Sequence, residues 1–156
     1  MGQLLHFAKQ GQNKKLSLRL IQLSHPKINQ LIRILKVEAV GFIPPTIRRD
    51  VQFITMLEKN LQIEVPKIKL INVKGDVVVP QKALSKIEDR VHKARRSIVT
   101  SKSKKYNRIL LIDDAVGSGA TLNETAGKLK WRGVANEVYG VAITGSFEGF
   151  EVITEA

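Results

Sequence analysis

Residues 109–121 read ILLIDDAVGSGAT. Four apolar residues meet two adjacent carboxylates, and the chain then turns small and glycine-rich before a helical pattern begins. A short apolar run closed by a turn signal reads as a strand buried on both faces, as in a parallel sheet. Gly117, Ser118 and Gly119 supply the turn, and Thr121 opens the helix. Strand, acidic pair, glycine loop and helix form one βα unit, and ligands of open α/β sheets bind outside the carboxyl ends of such strands.

The rest of the chain alternates in the same way. Residues 14–36 carry apolar positions at helical spacing, with a break expected at His25-Pro26, where Pro26 suits the first turn of a second helix. A strand is expected over 37–43, stopped by Pro44-Pro45, and a helix over 50–61 with Phe53, Ile54, Leu57 and Leu61 on one face. Residues 67–73 read as a strand, 81–98 as a helix with a basic outer face, 108–113 as a strand, 121–133 as a helix ended by Gly133, and 137–144 as a strand. Strands alternating with helices predict a mainly parallel central sheet flanked by helices. The 156 residues are expected to form one domain: a helical segment over 1–36, a core over 37–145, and a tail over 146–156 that is a candidate edge strand.

Composition narrows the setting. The chain has no cysteine, which excludes disulfides and cysteine-bound zinc. No apolar stretch approaches the roughly 18 residues of a membrane span, and no signal-peptide pattern opens the chain, so a cytoplasmic protein with no membrane partner is expected. Lys and Arg number 26 against 14 acids, a net charge of +12, which favours polyanions or phosphorylated small molecules. Residues 92–108 hold seven Lys/Arg and no acid, but only Tyr106 as an aromatic, so nucleic acid is admitted there as a weak partner. His6, His25 and His92 are scattered and read as surface or packing residues.

Backbone N–H groups of the 116–121 loop, together with the helix dipole, make an anion site. Thr121 with Glu124 also reads as a capping box, which needs no ligand. A dinucleotide fingerprint is excluded by Leu122 at the third glycine position, and a phosphate-binding lysine loop by the lack of a lysine before the hydroxyl residue. A receiver-type acidic pair is excluded because only 42 residues follow Asp114. A sugar phosphate suits what remains: carboxylates for ribose hydroxyls, and a loop for the 5′-phosphate.

The stretch 109–133 resembles the phosphoribosyl-pyrophosphate (PRPP) motif of type I phosphoribosyltransferases. The resemblance implies that Asp113 and Asp114 hold the ribose 2′- and 3′-hydroxyls, and that Val116, Gly117, Ser118, Gly119, Ala120 and Thr121 hold the 5′-phosphate. The family loop typically has two threonines where this chain has Gly117 and Ser118. Within the superfamily the chain is most similar to the ComF group of competence-associated proteins, through residues 4–21, 39–53 and 80–94. A form without the group's N-terminal zinc module is expected, and the chain departs from the group's pattern at Asp50, Val51, Gln52 and His92.

The resemblance implies a type I phosphoribosyltransferase-like fold with a small hood from the terminal segments. It also implies displacement of pyrophosphate at ribose C1 by an unidentified, nucleobase-like acceptor. Mg²⁺ would be the cofactor, reached by Asp113 and Asp114 indirectly through ribose hydroxyls or water. Arg48 and Arg49, with Arg90 and Lys82, are the candidate pyrophosphate contacts, and a homodimer is the candidate assembly. A non-catalytic PRPP- or nucleotide-binding regulator and a competence-type DNA-uptake accessory are the alternatives on the same fold.

Overall fold

The computed structural model describes residues 2–45, 50–73, 97–100 and 104–145. Two helices come first, α1 (Gly2–Gln10) and α2 (Lys14–Ile34), followed by β1 (Ala39–Phe42), α3 (Phe53–Asn60), β2 (Lys67–Ile68) and β3 (Leu70–Val73). The remaining elements are β4 (Ser97–Thr100), β5 (Tyr106–Val116), α4 (Ala120–Trp131) and β6 (Ala135–Gly145). A four-stranded parallel sheet runs in the order β2-β1-β5-β6, and β3 and β4 form a separate antiparallel ribbon. The expected α/β fold with a parallel sheet between helices is the one observed.

Strand side chains alternate between faces, which divides the core in two. Val40, Phe42, Leu110 and Ile112 pack with buried residues of α1, α2 and α3. Ala39, Ile43, Ile109 and Leu111 pack on the other side with Leu129 of α4 and Val134. This is why Ile109–Ile112 is apolar without a break: β5 is bonded to β1 on one edge and β6 on the other, and both of its faces are covered.

Four expectations need correction. The break at His25-Pro26 does not occur, because α2 continues through Pro26. Proline deprives the carbonyl of Gln22 of its helical donor, a loss made tolerable by the exposed position of both Gln22 and Pro26. Leu20 and Ile21 before the proline, and Ile28 and Ile32 after it, enter one buried cluster that holds the two halves in line.

Residues 67–73 form two strands rather than one. Ile68 pairs with Gly41, β1 ends one residue later at Phe42, and Pro44-Pro45 follow, whose nitrogens carry no hydrogen to extend the ladder. The chain therefore leaves the sheet, and Leu70–Val73 pairs instead with Ser97–Thr100. Ser97 and Ile98, expected at the end of a helix, thus belong to a strand; most of that expected helix lies outside the described residues. The helix expected from residue 50 starts at Phe53, after an extended Gln52 with no side-chain cap. The tail expected as an edge strand also lies outside the described residues.

Gly133 ends α4 as expected. It has φ +66°, with its N–H on the Lys130 carbonyl at 2.9 Å and the Val134 N–H on the Leu129 carbonyl at 2.9 Å. Among the described residues, no helix is long and apolar enough to cross a membrane.

Candidate functional site

The strand β5 delivers Asp113 and Asp114 to the carboxyl end of the sheet, just past its four fully buried residues. Burial pushes the Asp113 carboxyl up to about 6, and the adjacent Asp114 charge acts in the same direction. The N–H groups of Asp114 and Ala115 oppose the rise, as does the Lys9 ammonium. The Asp114 N–H donates to Asp113 Oδ1 at 2.7 Å. The two carboxylates are held differently, because Asp114 Oδ2 accepts from Lys9 Nζ at 2.8 Å. On β6, the Thr144 hydroxyl lies 3.5 Å from the Asp114 carbonyl oxygen.

Val116 is the last residue of β5, and Gly117, Ser118 and Gly119 carry the chain into α4 at Ala120. Gly119 occupies the N-cap position at φ +75°, a left-handed conformation that glycine adopts without a steric cost. Gly119 supplies no side-chain cap, the Ala120 N–H has only the Ser118 hydroxyl oxygen at 3.5 Å, and no acid stands in the first turn of α4. Its leading N–H groups and the positive end of its dipole therefore face outward beside the carboxylates. The capping box expected from Thr121 and Glu124 is not formed. The helix begins one residue earlier, so Thr121 is its second residue, and Glu124 pairs one turn onward with Lys128.

A cavity of about 230 Å³ opens in front of the acid pair. Asp113, Asp114 and Thr121 line it together with Pro44, Pro45, Val51 and Gln52, and Lys9 joins the lining beside Asp114. A second space of about 460 Å³ is lined by His6, Lys9 and Gln10 of α1, by Val116 and Gly117 at the end of β5, and by Thr144 and Gly145 at the end of β6. Asp113, Asp114 and the 116–121 loop are thus neighbours. Arg48, Arg49, Lys82 and Arg90 lie outside the described residues, although Pro45 and Val51, which bracket the two arginines in sequence, both line the first cavity. Of the histidines, His6 is exposed at the second space and His25 lies 2.8 Å from the Gln62 carbonyl, while His92 lies outside the described residues.

Lys9 was not legible as a site residue. In sequence it is one of many lysines, and only the packing of α1 brings it to an acid 105 positions away. The one available signal is its place on α1 beside the buried pair Leu5 and Ala8, which fixes the helix face turned toward the sheet.

No protein-family model matches the chain. No curated protein is similar to it in sequence at a significant level. Its structure is similar to that of an adenine phosphoribosyltransferase, with 14% identity over 87% of this chain and 73% of that one and a TM-score of 0.51. It also matches a purine phosphoribosyltransferase from Pyrococcus horikoshii, with 17% identity over 88% of this chain and 78% of that one and a TM-score of 0.46. A hypoxanthine phosphoribosyltransferase from Staphylococcus aureus matches at 15% identity over 88% and 70%, with a TM-score of 0.48. The first of these likenesses shows the fold: a parallel sheet flanked by helices, as in that adenine phosphoribosyltransferase.

Proposed function

We propose that the chain binds PRPP and transfers its phosphoribosyl group to an acceptor. The observation that carries this reading is that the acid pair and Thr121 of an acid-free helix N-terminus line one cavity at the carboxyl end of a parallel sheet. A ligand that suits both halves presents uncharged hydroxyls to carboxylates and a phosphate to backbone N–H groups. PRPP does both, and the adenine phosphoribosyltransferase of like fold is by its name an enzyme of this chemistry.

In this reading Asp113 and Asp114 accept hydrogen bonds from the ribose 2′- and 3′-hydroxyls. Val116, Gly117, Ser118, Gly119, Ala120 and Thr121 surround the 5′-phosphate, with Ser118 and Thr121 adding hydroxyl donors. Arg48, Arg49, Lys82 and Arg90 are proposed for the pyrophosphate. The bond from C1 to the pyrophosphate oxygen breaks, its electron pair leaves with pyrophosphate, and an acceptor lone pair forms the new bond to C1 as the acceptor gives up a proton. Holding the diol and the phosphate fixes C1 between leaving group and acceptor, so positioning and electrostatics supply the rate.

The donor set suits Mg²⁺. The two carboxylates are hard oxygen ligands, and the phosphates of PRPP with water would complete an oxygen shell. Mg²⁺, when bound, supplies charge neutralisation of the leaving pyrophosphate. The ComF-like grouping rests on the sequence stretches at 4–21, 39–53 and 80–94, and a homodimer and a cytoplasmic setting belong to the same proposal.

Calorimetric titration with PRPP, with and without Mg²⁺, tests the binding step. Pyrophosphate release with a panel of nucleobases tests the transfer. Mg²⁺-dependent binding that vanishes in Asp113→Asn/Asp114→Asn is expected, and unchanged binding in that double variant would overturn the site. Binding without pyrophosphate release, whichever base is offered, would replace the transferase with a PRPP-sensing regulator.

A further inference from the structure

The chain contains a single tryptophan, and it is not in the core: Trp131, the last residue of α4, is 85% exposed. Exposed Lys130 and Arg132 flank it. Exposed Lys104 and Lys105 arrive from the segment that enters β5. The backbone brings them close, since Tyr106 N–H donates to the Val134 carbonyl at 2.8 Å and Lys105 Cε lies 3.9 Å from where a Cβ on Gly133 would stand. Lys104 Nζ also sits 5.5 Å from the centre of the Tyr106 ring. One turn before the indole, Gly127 is exposed and has open space where a side chain would be. The neighbouring acids Glu124 and Glu137 are engaged by Lys128 and Arg108, and Glu38 accepts from the Asn107 N–H at 2.6 Å.

Basic residues at a helix C-terminus complement its dipole, which accounts for Lys128 and Lys130. That does not account for the indole in solvent or for the cations contributed by a different segment. A membrane surface or a protein partner would call for a broader apolar face than one ring among polar neighbours. We propose that this end of α4, with residues 104–106, docks single-stranded nucleic acid. Trp131 stacks on a base, and Lys104, Lys105, Lys130 and Arg132 follow the phosphates. The surface lies at the amino end of β5, seven strand positions from Asp113, or roughly 23 Å at the usual strand rise. It is therefore separate from the acid pair and holds whether or not that site binds PRPP.

Because Trp131 is the lone tryptophan, the full-length protein reports on its own surface. Titration with oligothymidylate at low salt is expected to quench its fluorescence, and the affinity should fall linearly on a log–log plot as salt rises, by about 0.7 in slope per phosphate neutralised. By anisotropy of a labelled oligonucleotide, Trp131→Ala should bind about tenfold more weakly, while Trp131→Phe, which keeps a ring, should stay close to the parent. Lys104→Gln/Lys105→Gln should weaken binding and flatten the salt slope by about 1.4. Saturating PRPP should leave oligonucleotide binding unchanged. The proposal is overturned if oligothymidylate causes no quenching at low salt, or if Trp131→Ala binds as tightly as the parent. Equal quenching by phosphatidylserine vesicles, or a concentration-dependent emission shift without any nucleic acid, would also overturn it, in favour of a lipid surface or a second copy.

Discussion

Lys9 Nζ on α1 lies 2.8 Å from Asp114 Oδ2 on β5, and the same ammonium acts on the neighbouring Asp113 carboxyl. Lys9→Met removes a positive charge that lowers the Asp113 pKa, so the Asp113 titration midpoint should rise above its value of about 6. Carboxyl chemical shifts followed against pH would measure it, and an unmoved midpoint would contradict the coupling. Both side chains of the pair keep some solvent contact, 30% for Lys9 and 17% for Asp114, so the loss in stability should stay near or below about 1 kcal/mol.

Asp113 itself sets stability and binding against each other. Its folded pKa is about 6 against 3.8 for a free side chain, so between those values the folded state binds more protons than the unfolded one. Its ionised form therefore destabilises the fold, an effect absent below about pH 4, growing as pH rises through the window, and complete above about pH 6. Asp113→Asn should melt higher than the parent at neutral pH and equally at about pH 4, measured by thermal scans at both. PRPP binding should be lost in the same variant, and in the parent it should weaken as Asp113 takes up its proton. A variant that melts lower at neutral pH would contradict burial as the origin of the shift.

The two loop glycines should respond in opposite ways to substitution. Gly117 has open space around its missing Cβ and a φ outside the left-handed region, so Gly117→Thr should leave stability within about 0.5 kcal/mol. Its added hydroxyl should tighten PRPP binding by roughly two- to tenfold, the worth of one more hydrogen bond. Gly119 has φ +75°, so Gly119→Ala should cost about 1–2 kcal/mol and weaken binding by shifting the start of α4. Urea melts and calorimetry on the same two proteins separate these outcomes. Equal behaviour of the two would refute the loop geometry.

Helix α2 leaves stability unclaimed at two places. Ser17 is buried, and among the described residues its hydroxyl has no hydrogen-bond partner. Ser17→Ala should raise stability by about 1 kcal/mol, since the alanine buries no polar atom and suits a helix better. Lys36, just past the helix end, holds φ +50° while its N–H reaches the Arg33 carbonyl at 3.2 Å. Lys36→Gly should gain about 1 kcal/mol by relieving the left-handed lysine. A higher urea midpoint at unchanged slope is the expected readout for each, and a lower one would count against the local geometry.

The alternation of elements and the placing of the acid pair could be read directly. Buried parallel strands leave unbroken apolar runs, and ILLIDD joins such a run to two charges that mark its end. What could not be read depends on partners distant in the chain. Residues 67–73 look like one strand until β1 is seen to run out of donors at Pro44-Pro45. Pro26 looks like a boundary until Leu20, Ile21, Ile28 and Ile32 are seen to share one cluster. Thr121 and Glu124 fit a capping box until Gly119 takes the cap and Lys128 takes the glutamate. Lys9 acquires a role only once α1 is packed near the end of β5.

The position of β5 has a consequence for how the site moves. Residues Ile109–Ile112 are bonded to strands on both sides and almost wholly shut off from solvent, so their amides should be among the last to exchange with heavy water. Asp113 and Asp114 follow them directly and inherit that stillness. The carboxylates form a fixed floor, and any opening or closing around a ligand must come from the other lining elements: α1 with Lys9, the glycine turn, and Val51 with Gln52.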